Sequence, residues 1–185
     1  ANPYVRLWSI RLLGDEKVMP EETARMLSKL ARSEPNVEVR GQLAATAKRL
    51  SHDQALPIVR SLMGHGADAE DIYQPLMVWW ALESKVDAHS EEILSLFSDK
   101  ALWAKSLVRQ YLLNRLIRRF AKSGTRQDLL NSAKLFELAP DADAAKILMN
   151  GFEQAYKGRS MAALPERLMA AMARYGGGSV ALELR

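Results

Sequence analysis

The chain has 185 residues, 48% of them hydrophobic and 26% charged, with a formal net charge of +4. That is enough apolar material for one sizeable core and too much for a disordered chain. With no cysteine, disulfides, thiolate metal sites, a covalent c-type haem and a cysteine nucleophile are all excluded.

Helical periodicity runs almost the whole length, starting with Pro3 in a first turn, Val5 to Leu13, and Gly14 as a stop. Pro20-Glu21-Glu22 opens a second helix with acids facing its dipole, and Ala24, Leu27, Leu30 and Ala31 keep i, i+3, i+4 spacing. Pro35 and Asn36 punctuate, and a third helix is expected to about Leu50. Ser51 is placed to cap a fourth, ending near Gly64-His65-Gly66, with Pro57 expected to kink it or delay its start.

The pattern from Asp71 to Glu83 is apolar on every side, which predicts an internal helix with Trp79 and Trp80 both in the core. Leu76, Trp80, Leu82, Leu113, Leu116 and Phe120 are expected to be largely buried. Further helices are predicted over 88–97, 100–122, 126–138, 142–157 and 165–174. Short linkers argue for a single domain over 1–175, and the Gly-rich stretch 176–185 reads as a flexible tail. Its Val180, Leu182 and Leu184 alternate with Ala181, Glu183 and Arg185, as either a strand or the start of a helix. No apolar run reaches the ~18 residues a membrane span needs. The opening Ala-Asn-Pro reads as the start of a piece of something longer.

Val5-Arg6 and Val39-Arg40 stand 34 positions apart, and Val108-Arg109 recurs 69 after Arg40. The implied unit is a helix pair, and stacking such units gives a HEAT-like α-α superhelix, a solenoid of antiparallel pairs. The shorter tetratricopeptide pattern is absent. In this reading Arg6 and Arg40 tie neighbouring repeats through carboxylates or carbonyls. The first helix should leave Tyr4, Leu7 or Trp8 partly exposed.

Tyr4 to Asp15, Leu56 to Arg60, Asp68 to Asp71, Pro75 to Glu83 and Gly151 to Arg159 together resemble the HEAT-like segment of large bacterial proteins named membrane-bound dehydrogenases. The resemblance implies a host with a quinoprotein-sugar-dehydrogenase-like β-propeller, this helical segment and a haem-binding C-terminal cytochrome c. It also implies a periplasmic or otherwise exported protein. No Cys-x-x-Cys-His is present, so no redox residue carries over.

No phosphate-binding glycine motif or nucleophile elbow is found. No catalytic residue, cofactor or metal is therefore expected. His52, His65 and His89 are scattered, and His65 with Asp68 supplies too few ligands for a metal. The acids Glu91-Glu92 and Asp141 with Asp143 sit where helix starts fall, which explains them without catalysis.

The charge is uneven. Residues 105–126 hold seven basic side chains and no acid, leaving 19 basic against 22 acidic elsewhere. Arg115, Arg118, Arg119 and Lys122 share one helical face, opposite Leu113, Leu116, Ile117 and Phe120. They are the candidate strip for an anion or a partner. The expected function is a non-catalytic scaffold for a protein partner or for neighbouring domains of the same chain. The rival is a HEAT-like nucleic-acid-binding protein or DNA glycosylase, which needs basic residues on several helices; the other helices sum negative, so nucleic acid is not the expected partner.

Overall fold

The computed structural model describes residues 2–158 and 164–175, and every regular element in them is helical. The protein is all-α. The helices are α1 (Pro3–Leu13), α2 (Glu21–Ser33), α3 (Val37–Arg49), α4 (His52–Leu62), α5 (Gln74–Glu83), α6 (Ser90–Leu96) and α7 (Lys100–Trp103). They continue as α8 (Leu113–Ser123), α9 (Arg126–Leu138), α10 (Ala142–Tyr156) and α11 (Glu166–Ala173). A 3₁₀ turn (Gly66–Glu70) precedes α5, and a π-helical turn (Val108–Leu112) leads into α8. Among the described residues no helix is long and apolar enough to cross a membrane. The tail from 176 lies outside the described residues.

Short polar caps start many of these helices. The side chains of Asn2, Asn36, Asp99, Thr125 and Asp141 each accept a backbone N–H from the first turn of the helix that follows. Gly124 ends α8 with φ of 68°, the left-handed conformation that glycine adopts without strain. Ser51 stands at the predicted N-cap position of α4, although its hydroxyl caps no backbone amide.

Two rows of helices result. α1 packs on α3, α3 on α5 and α8 on α10, while α2 packs on α4 and α9 on α11. The rows meet through α3 on α4, α4 on α5 and α8 on α9, enclosing one continuous core. Trp103, Phe97, Phe120, Phe136 and Phe152 are the largest side chains sealed in it.

Four predicted details need correction. Pro57 does not delay α4, which begins five residues earlier at His52 and runs through it. The cost is the hydrogen bond that a residue-57 N–H would give to Asp53. The helix at Pro75 starts at Gln74, not Asp71, because Asp71 Oδ1 accepts the amides of Tyr73 (2.8 Å) and Gln74 (2.9 Å). The predicted 100–122 helix is interrupted after Trp103. That indole is fully buried and donates to the Phe97 carbonyl at 2.8 Å, which folds the short α7 back before α8 begins.

The fourth correction concerns the tryptophans. Trp79 is 7% exposed, but Trp80 is 45% exposed, with Lys48 Nζ 5.8 Å from its ring centroid. Neighbours on a helix point about 100° apart, and only the Trp79 side is covered. Leu76 is half-buried, whereas Leu82, Leu113, Leu116 and Phe120 are fully buried as expected.

The α8–α10 crossing depends on a missing side chain. A Cβ on Gly151 would lie 2.5 Å from Ile117 Cγ2 and 2.8 Å from the Asn114 carbonyl oxygen. Gly151→Ala is therefore expected to destabilise by about 1–3 kcal/mol through overpacking, despite alanine's better helix propensity. A denaturant midpoint equal to or above the parent's contradicts this.

Candidate functional site

Arg6 and Arg40, the arginines of two Val-Arg pairs, are used as cross-links. Arg6 holds Glu34 through two hydrogen bonds, Nε to Oε2 at 2.8 Å and Nη2 to Oε1 at 2.6 Å. Arg40 holds Asp68 in the same two-pronged way, with Nε to Oδ2 at 2.8 Å and Nη2 on Oδ1. Both pairs span 28 residues, and both partners of the second lie 34 after those of the first. Arg40 Nη1 also donates to the Glu34 carbonyl at 2.8 Å, so the two links join into one chain.

Position 74, another 34 residues on, holds glutamine. The Gln74 amide donates to the Val37 carbonyl, and its buried Oε1 has no hydrogen-bond partner. Arg109 reaches forward to Asp141 at 3.4 Å and Asp143 at 3.8 Å. The expected pair Asp141 and Asp143 is thus accounted for by a helix cap and an arginine.

Glu34 is 1% exposed. Burial pushes its carboxyl up, but the Arg6 hydrogen bond, the Asn36 amide and the charges of Arg6 and Arg40 outweigh it, so the group lies below its ordinary value of 4.5. A depressed carboxylate adds stability that is complete above its unfolded pKa and disappears as pH falls through the folded one. Glu34→Gln is therefore expected to flatten the acid limb of stability against pH. Parallel acid limbs in variant and parent contradict this.

The predicted basic strip is divided by its surroundings. Arg119 is claimed by acids, with Nη2 2.5 Å from Asp87 and Nε 3.8 Å from Glu83. Arg115 is half-buried, donates to the Tyr111 carbonyl at 3.3 Å, and has its guanidinium 5.6 Å from the Tyr111 ring centroid. Arg118 and Lys122 are exposed. The four share a helix, as expected, but not one uniform electrostatic environment.

His65 and Asp68 do not converge on an ion. His65 Nε2 lies 2.6 Å from the Ala31 carbonyl, and Asp68 is held by Arg40. Tyr4, Val5, Trp8 and Leu12 are exposed on α1, in line with the expectation for the first helix.

Two groupings are invisible in the linear sequence. A cleft of about 530 Å³ opens between α2, α4 and α7, with Ser28, Arg32, Arg60, Ser61, Asp99 and Lys105 in its lining. Arg60 is paired with Asp99, so the cleft carries an excess of positive charge. The Ala101 amide, Arg60 and Lys105 together hold the Asp99 carboxyl below its ordinary value. The second grouping brings His52 and His89 face to face beside Glu92. No signal in the sequence points to either, because each is assembled from helices tens of residues apart.

Comparison with family models, with curated proteins and with solved structures found no match to this chain.

Proposed function

We propose that the chain is a non-catalytic segment of HEAT-like helical repeats, a superhelix of antiparallel pairs that holds a protein partner or neighbouring domains of its own chain. One observation carries the reading. The Arg6–Glu34 link recurs as Arg40–Asp68 with both ends displaced by the same 34 residues. A repeated tertiary cross-link is what stacked, equivalent units produce, and stacking gives an extended surface rather than a single deep site. Arg6, Arg40, Arg109 and Arg119 are each held in an ion pair with an acid from elsewhere in the chain.

The host envisaged is a larger, exported protein that joins a dehydrogenase-type propeller to a cytochrome c. That part rests on the resemblance at Tyr4 to Asp15, Pro75 to Glu83 and Gly151 to Arg159. In it, the segment acts as a spacer and brace.

The rival is binding of nucleic acid through Arg115, Arg118, Arg119 and Lys122. A titration of the full chain with duplex DNA, single-stranded DNA and heparin separates the two. The scaffold reading predicts no binding at physiological salt, where the Debye length is about 8 Å. Salt-dependent binding that disappears in the Arg118→Glu, Arg119→Glu double variant overturns it. Base-excision activity overturns the non-enzymatic reading as well.

A further inference from the structure

His52 is the first residue of α4 and His89 immediately precedes α6. They are 37 positions apart in sequence, yet their rings stack with centroids 3.5 Å apart and planes 13° from parallel. His52 Nε2 lies 3.7 Å from Glu92 Oε1, and His89 Nδ1 lies 3.5 Å from the same oxygen. One atom from each of the three residues falls within 4.8 Å of the other two. We propose that His52, His89 and Glu92 form a surface site for a divalent transition metal of the zinc class.

Two imidazoles and one carboxylate are a donor set suited to Zn²⁺, Co²⁺, Ni²⁺ or Cu²⁺, and poorly suited to Mg²⁺ or Ca²⁺, which want oxygen. Ligands around tetrahedral zinc with bonds near 2.0–2.1 Å stand about 3.3 Å from one another. The two nitrogen–oxygen separations exceed that by only a few tenths of an ångström. Parallel rings aim their lone pairs side by side, so binding requires the rings to fan apart. Both are half-exposed, at the edge of their helices, where side-chain rotation meets little packing.

The helix starts place positive dipole ends nearby, which disfavours a cation. The first-turn acids Asp53 and Glu92 offset this. Three protein ligands leave a coordination position for water. The bound ion clips the start of α4 to the start of α6. The inference stands independently of the scaffold reading.

The test is a titration of the full chain with Co²⁺, followed by its visible d–d absorption, with Zn²⁺ as competitor. One saturable equivalent is expected, displaced by Zn²⁺. Acidification should weaken binding, because protons compete with the metal for its ligand atoms. His52→Gln and His89→Gln are each expected to weaken binding by roughly tenfold or more, and Glu92→Gln also to weaken it. Glu91→Gln, an exposed acid in the same turn, should leave affinity within about twofold. Melting temperature should rise with Zn²⁺ in the parent and not in the histidine variants. No saturable uptake, uptake that survives either histidine replacement, or an equal loss in Glu91→Gln each overturns the assignment. Unperturbed circular dichroism of the glutamine variants separates loss of ligand from loss of fold.

Discussion

Asp68→Ala is expected to cost about 3–5 kcal/mol, because it strands the Arg40 guanidinium, on a side chain 9% exposed, without its carboxylate. In a protein of this size that lowers the melting temperature by roughly 6–20 °C. The loss measures an uncompensated buried charge, not the net worth of the pair. Replacing both partners with apolar residues of similar size, as in Arg40→Met with Asp68→Leu, should recover most of it. Glu34→Ala should cost less than Asp68→Ala, since Arg6 is 24% exposed and can turn to water. Equal losses at the two links, or a double variant no better than Asp68→Ala, contradict the buried-link description. Chemical denaturation of the three variants checks it.

The second large effect separates two neighbours. Trp79→Ala is expected to cost about 3–5 kcal/mol, the range for emptying a buried aromatic position. Trp80→Ala removes a half-exposed ring that faces Lys48, a cation–π pair worth about 0.5–1 kcal/mol at an exposed site. Its melting temperature should stay near the parent's. Equal destabilisation by the two variants contradicts the assigned orientation of α5.

The same pair shows where sequence reasoning stops. Residues 74–83 are so uniformly apolar that no stripe marks an inner face. Only the neighbouring helices decide which tryptophan is covered. Element boundaries with chemical markers were legible: Pro20-Glu21-Glu22 stands at the start of α2 and Asp141 at the start of α10, and α9 begins at Arg126, all at the predicted places. The interruption after Trp103 was not, because it depends on an indole reaching the Phe97 carbonyl, a tertiary event with no local marker.

The ladder of Arg6 and Arg40 was legible in part. The spacing of the Val-Arg pairs marked the two arginines as equivalent, but the carboxylate partners, Glu34 and Asp68, carry no motif of their own. The basic face of α8 was legible as a pattern; its division by Asp87 and Glu83 was not, since those acids lie more than thirty residues earlier. His52 and His89 were invisible for the same reason. A linear search for histidines one turn apart cannot find ligands delivered by two different helices.

Native-state hydrogen exchange along the full chain tests most directly whether the protein is a row of stacked helical units. Such a row has nearest-neighbour cooperativity, so its ends open separately from its middle. The prediction is graded protection, with α1 and α11 exchanging by local opening well before the amides of α3, α4, α5 and α8. A single opening free energy shared by the amides of all these helices contradicts the stacked-unit account.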